Sequence, residues 1–184
     1  MWLLRFLVIA AIGLMVVSWL LPWWSADILA LGKDILVIHP YGLEHHLGGI
    51  VDILPEGATD MPAFFAPLIW IYFGICIAIL LYTLLMKYKE VQIYRFRFKL
   101  NKLLIGVVGF SYIIVAVLAI IIATIRTSEL NMPLLGYNVV SLGWVYETAV
   151  DSSLQFGYYL AYGVGLILLV IALLYNKILG KSIQ

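Results

Sequence analysis

Three histidines, His39, His45 and His46, stand with Glu44 and Asp52 in the polar segment between the first two apolar stretches. They are the residues of this chain whose types could do chemistry, because neutral imidazole and carboxylate together suit zinc or copper. Their spacing is not that of a zinc motif, and adjacent residues such as His45 and His46 project in different directions on a strand or a helix. A metal site at these histidines is therefore the minor reading, a structural or solvated role the major one, and no cofactor is predicted. None of the three lies within an apolar stretch, so none can ligate a haem between transmembrane helices. Ser, His and Asp co-occur in this segment without the spacing of a nucleophilic triad. The chain also carries no nucleophile elbow, P-loop, dinucleotide fingerprint or zinc-protease motif. These residues argue against an enzyme acting alone and leave room for a subunit of an enzyme complex.

The elements that must position these residues follow from composition. Of 184 residues, 65% are hydrophobic and 11% charged, against roughly 25% charged in a soluble domain. Four apolar stretches, each near or above the roughly 18 to 20 residues that cross a bilayer as a helix, fill residues 2–21, 63–86, 103–125 and 156–175. The first is longer than a signal-peptide core and runs into Pro22-Trp23-Trp24 in place of a small-x-small cleavage site. A net charge of +1 gives no sign of nucleic acid as a partner. The expected architecture is an all-α four-transmembrane-helix bundle, read as a single membrane domain over residues 1–184.

Basic residues set the expected orientation, since cytoplasmic loops retain Lys and Arg. The segment 87–102 carries Lys87, Lys89, Arg95, Arg97, Lys99 and Lys102 against Glu90 alone, and the tail 176–184 carries Lys177 and Lys181 without an acid. The first long loop, 22–62, has Lys33 against six acids, and the second, 126–155, has Arg126 against Glu129, Glu147 and Asp151. Both termini are thus expected inside and both long loops outside, in a multi-pass protein of the cell membrane. The basic segment, interleaved with Tyr94, Phe96 and Phe98, fits an inner-leaflet anchor that could attract anionic lipid. The outer loops are rich in β-branched runs, Ile35-Leu36-Val37-Ile38, Ile50 to Leu54 and Val139-Val140, set between Gly and Pro turn signals. The turns fall at His39-Pro40-Tyr41-Gly42, Leu47-Gly48-Gly49, Pro55-Glu56-Gly57 and Leu135 to Asn138. Short strands from both loops would pair into a small extracytoplasmic β-sheet cap.

No charge lies deep in any of the four stretches, which argues against proton-coupled transport, pumping or voltage sensing. Helix packing is expected along Gly157, Ala161 and Gly165 in the fourth span and Gly74 and Ala78 in the second, where four-residue spacing puts small side chains on one face. Contact within the bundle is the first reading of these faces and dimerisation the second. Cys76, in the middle of the second span, is expected to act as a small buried hydrophobe. Trp23, Trp24 and Trp144 are expected to be exposed interfacial anchors.

The layout resembles the claudin and peripheral-myelin-protein superfamily. That family shares four helices, inside termini, a longer first outer loop with Trp residues just after helix one, a short basic inner loop and a shorter second outer loop. Trp23 and Trp24 stand roughly where the family places outer-loop tryptophans. Phe156-Gly157-Tyr158-Tyr159-Leu160-Ala161-Tyr162-Gly163 is similar in texture to its Gly- and aromatic-rich fourth helix. The family's Gly-Leu-Trp with two following cysteines is missing, and with it the disulfide of the outer sheet. The resemblance implies a left-handed four-helix bundle with an outer sheet. Absent glycosylation acceptors and outer cysteines suit a prokaryotic envelope protein.

Together these residues point to a non-catalytic structural or accessory subunit that positions partner subunits in a membrane complex, in contact with lipid and with other membrane proteins or itself. The alternatives are a claudin-like self-associating adhesion or pore-forming protein, and an outer-surface metal-handling or redox-complex subunit using the loop histidines.

Overall fold

The computed structural model describes residues 2–29, 32–45, 62–85, 90–93, 96–129, 132–142 and 146–180. Four helices are long and apolar enough to cross a membrane: α1 (Trp2–Leu20), α2 (Phe65–Leu85), α3 (Leu100–Glu129) and α4 (Phe156–Gly180). Between them lie β1 (Trp24–Ile28), β2 (Gly32–His39), β3 (Gly42–His45), β4 (Glu90–Ile93), β5 (Phe96–Lys99), β6 (Gly136–Leu142) and β7 (Tyr146–Leu154). Contacts divide the chain into two compact units. One comprises Met1–Val17, Trp70–Ala116 and Leu160–Gln184, the other Ser18–Ile69 and Val117–Tyr159.

The second unit contains a five-stranded antiparallel sheet in the order β3-β2-β1-β7-β6, built from both long loops. The runs at Ile35–Ile38 and Val139–Val140 lie in β2 and β6; β1 and β7, which carry no comparable β-branched run, complete the sheet. The run from Ile50 to Leu54 and the turns at Leu47–Gly49 and Pro55–Gly57 lie outside the described residues. The expected turn at His39–Gly42 joins β2 to β3, with His39 opposite Gly42 in the ladder. The turn expected over Leu135 to Asn138 ends sooner, because Gly136 takes a positive φ of 89° and opens β6 at once. The alternate residues Trp24, Ala26 and Ile28 of β1 are buried with Ile35, Leu36, Met132 and Val150, and Ile38, Leu134 and Leu154 close this apolar cluster. β1 is central because it pairs on both sides, Trp24 standing between Ile38 and Leu154.

In the first unit, the buried positions of α2 are Phe73, Cys76, Leu80 and Thr83, alternately three and four apart. The same rhythm runs through Leu4, Val8, Ala11 and Met15 of α1, and through Asn101, Ile105, Val108, Tyr112 and Ala116 of α3. A repeat near 3.5 residues is the seam of knobs-into-holes packing. The remaining faces are apolar as well, with Trp70, Ile71, Ile75, Phe110, Ile114, Leu166 and Leu173 all exposed. α3 runs beyond its expected apolar stretch at both ends. At the far end Arg126 donates to Glu129 at 3.0 Å, so the charges continue the helix as an i,i+3 pair. The segment between α2 and α3, expected as a loop, holds the hairpin β4–β5, with Glu90 opposite Lys99 and Gln92 opposite Arg97.

Candidate functional site

In the sheet-bearing unit, β2 ends at His39 and Pro40-Tyr41 turns the chain into β3. The imidazole stacks on Tyr41, centroid to centroid 5.1 Å at 16°, and its Nε2 stands 3.6 Å from Glu44 Oε2, an ion-pair distance longer than a hydrogen bond. Its Nδ1 is buried and has no hydrogen-bond partner among the described residues. Burial and the Glu44 carboxylate push the Tyr41 hydroxyl above its usual pKa. The register sets His39 opposite Gly42 and His45 opposite Leu36, positions on opposite faces of the ladder. His46 and Asp52 lie outside the described residues. Among the described residues, no three His, Cys, Asp or Glu side chains gather as metal ligands would.

Trp23 and Trp24 are not exposed rings: each is only 3% exposed. The reason is that both indole N–H groups find backbone acceptors inside the unit. Trp24 Nε1 donates to Leu134 O at 2.7 Å, tying the first long loop to the second, and Trp23 Nε1 donates to Ser18 O at 2.8 Å. Ser18 Oγ in turn donates to Gly157 O at 2.9 Å. Trp23 packs edge to face on Trp19 and on Tyr158, with centroids 6.4 and 6.0 Å apart. Gly157 allows the approach: a Cβ there would stand 2.5 Å from Pro22 O and 2.9 Å from Leu21 Cβ. Gln155 completes the lock, its backbone N–H donating to Trp23 O and its Nε2 to Ser25 Oγ at 2.7 Å and Ser153 Oγ at 3.0 Å. Trp144 lies outside the described residues.

The helical unit uses small residues differently. Gly165 of α4 meets α3, where a Cβ would stand 2.6 Å from Ile113 Cγ1 and 3.1 Å from Gly109 O. Gly109 is its counterpart, with Leu168 Cβ at 2.8 Å and Gly165 O at 2.9 Å from a built Cβ. Ala161 is fully buried. In the sequence Gly109 lacks the four-residue signal of a packing face, since Ile105 and Ile113 flank it at that spacing and Gly106 is only three residues away. Expected to pack within the bundle, Gly74 instead has nothing within 4 Å, and Ala78 is exposed beside it. The physical reason is that α2 buries the Phe73, Cys76, Leu80 and Thr83 seam, which turns Gly74 and Ala78 outward.

Between α2 and α3, Tyr72 Oη and Ser111 Oγ are 3.1 Å apart, and Asn101 Nδ2 donates to Thr83 O at 3.1 Å. The second contact satisfies a carbonyl of the last turn of α2, one of those a helix end leaves free. Of the basic segment, Lys99 ends β5 and Lys102 lies in the first turn of α3. Arg97 sits opposite Gln92 in the ladder, while Lys87, Lys89 and Arg95 lie outside the described residues. Compared with known proteins, the chain matches no family model, no curated protein and no solved structure.

Proposed function

We propose that this chain is a non-catalytic integral membrane protein that positions partner subunits within a membrane complex, with α2 as a docking helix. One observation carries the reading. α2 presents Trp70, Ile71, Gly74, Ile75, Ala78, Leu81 and Tyr82 outward along one side, with no atom near Gly74 and aromatic rings at both ends. Between helices in hydrocarbon, burying apolar area gains little, and close backbone approach across small residues is what favours association. A Gly and an Ala four residues apart, left open by the chain's own helices, offer that approach to another helix. The charge pattern supports inside termini and an outside sheet, as in the claudin-like layout.

The test is native mass spectrometry of the protein released from its own membranes in mild detergent. Different, larger subunits bound at fixed stoichiometry, and lost in Gly74→Ile while the chain stays folded, are the expected result. A bare wild-type chain released from those membranes would overturn the reading. A self-associating pore or adhesion protein is the second reading. Asp27 and Asp151, directly opposite across β1 and β7, favour it, because they give one sheet face an acidic character that would select cations. Reconstituted vesicles that neither conduct cations nor cluster would remove it.

A further inference from the structure

The two edges of the sheet differ in how they are protected. β3 is four residues long, follows Pro40 and carries Glu44, and short length, proline and charge are the usual guards of a free edge. β6 is seven residues long and Gly-Tyr-Asn-Val-Val-Ser-Leu contains no charge and no proline. It is a terminal strand of the sheet among the described residues, and Leu135, Tyr137 and Val139 are 55%, 67% and 54% exposed.

The direction of its free backbone groups follows from the hydrogen bonds. Ala149 O accepts from Leu29 N, on the β1 side of β7. In an antiparallel ladder a residue's N–H and C=O point the same way, so Ala149 does not bond its partner Val139 across β6–β7. Val139 therefore presents both groups outward, as do Tyr137 and Ser141 two residues away. Among the described residues the Val139 N–H is taken only by the side chain beside it, Asn138 Oδ1 at 2.9 Å.

We propose that β6 is a dimerisation edge that pairs antiparallel with β6 of a second copy of this chain, centred on Val139. Three arguments select a second copy as the occupant. A centre at Val139 sets Tyr137, Val139 and Ser141 against Ser141, Val139 and Tyr137 of the other strand. Outward groups then meet outward groups along the whole strand, in about six hydrogen bonds. An uncharged strand paired with itself brings no like charges together. The acids Glu147 and Asp151 lie one strand in, so those of the two copies stand about 14 Å apart at the usual strand spacing, beyond the screening length of about 8 Å. A two-fold pair also closes: it consumes both unguarded edges and leaves two guarded β3 edges outside. This inference does not rest on the docking role of α2.

A single strand pair buries less than the roughly 1,200 Å² of a stable soluble interface, so the dimer is best read by trapping. Val139→Cys, oxidised in membranes and in concentrated detergent solution, is expected to form a disulfide-linked dimer as its major product. Facing residues of a hydrogen-bonded pair lie about 5.5 Å apart at Cα, within disulfide range. Wild-type protein, whose only cysteine is buried Cys76, and Leu43→Cys on the guarded edge are expected to give less than a tenth of that yield. Asn138→Ala frees the Val139 N–H and raises the yield of Val139→Cys. Val139→Lys, at an exposed position that folding tolerates, sets two like charges face to face, and chains carrying this change alone should lose any dimer that chemical cross-linking detects in wild type. Equal yields at Val139 and Leu43, or no product at Val139 in a folded protein, overturn the proposal. Partner subunits retained in Gly74→Ile beside an intact Val139 cross-link would count against the α2 reading alone, whereas their loss in Gly74→Ile without any Val139 cross-link would count against this one alone.

Discussion

In the sheet-bearing unit, indole Nε1 atoms reach backbone carbonyls at 2.8 and 2.7 Å, and Ser18 and Gln155 add directed bonds around them. In the helical unit α3 and α4 approach closely at glycine, Gly109 of α3 lying against Gly165 and Leu168 of α4. The contrast follows from what each unit can gain. A sheet with an apolar cluster on one face gains from removing that cluster from water, and its buried N–H groups must each find an acceptor. Helices apolar on every side satisfy their own backbone, and their association depends on dispersion contacts that require close approach. Directed bonds lock the sheet-bearing unit, whereas α3 and α4 of the helical unit meet where glycine lacks a side chain.

The largest effect expected from this contrast is at Gly109. Gly109→Leu must drive α3 and α4 apart, because the built Cβ already meets Leu168 Cβ and two backbone atoms at 2.8 to 3.0 Å. A loss of about 3 kcal/mol is expected, read as a collapse of the folded peak in size-exclusion chromatography after a short heat step. Gly109→Ala should cost less but remain clearly destabilising. A Gly109→Ala protein as heat-resistant as wild type would mean that close approach does not hold this unit.

Next is Gly157, the one place among the described residues where the sheet-bearing unit uses the same device. Gly157→Ala pushes a methyl group against Pro22 O and Leu21, and a loss of about 2 kcal/mol is expected. Because the Trp23 ring packs on Tyr158 of the same turn, tryptophan emission should shift to the red along with the lower melting midpoint. A fall in stability without any change in emission would show that the aromatic lock stands apart from this contact.

A smaller effect tests the directed bonds alone. Trp24→Phe keeps an aromatic body in the apolar cluster and removes the donor to Leu134 O. The expected loss is about 1 kcal/mol, the net worth of a hydrogen bond, with somewhat more if the carbonyl stays dry. Hydrogen exchange at Leu134 to Tyr137 should quicken while exchange in α1 stays as it was. Equal quickening in both segments would place Trp24 among general packing residues and weaken the contrast between units.

How much of this was legible in the sequence differs between the two units for the same physical reason. Four spans could be counted because length and lack of charge are sufficient signals. Their buried faces could not be read, because a helix such as α2, apolar at Ile71, Phe73, Ile75 and Leu80 alike, has no amphipathic stripe to point inward. That is why Gly74 and Ala78 were expected inside and stand outside. The β-branched runs at Ile35–Ile38 and Val139–Val140 gave two strands, whereas β1, Trp-Ser-Ala-Asp-Ile, pairs on both sides for tertiary reasons its composition does not carry. The hairpin β4–β5 carries the period-two alternation Phe96-Arg97-Phe98-Lys99, while the same basic residues are also what an inner-leaflet loop would hold. Trp23 and Trp24 were read by residue type as interfacial anchors. Their burial depends on carbonyls at Ser18 and Leu134, and the latter is contributed by the other long loop.

The smallest expected effect is of opposite sign, and it separates glycines that hold the helices together from glycines that do not. Gly74→Ala adds a methyl group where, among the described residues, no atom from outside its own stretch of α2 lies within 4 Å, so the folded chain has nothing to move. Replacing glycine in a helix interior restricts the unfolded chain and favours the helix by about 0.5–1 kcal/mol. The isolated protein in detergent should therefore melt slightly higher than wild type, in contrast to Gly109→Ala on the neighbouring helix. If Gly74→Ala melted lower instead, α2 would have a contact in the isolated chain that its open face does not show, and the face would no longer be free for another helix. A higher midpoint in detergent together with weaker retention of partner subunits from membranes would assign Gly74 to contact between chains, since a single methyl group would then stabilise the monomer and disfavour its assembly.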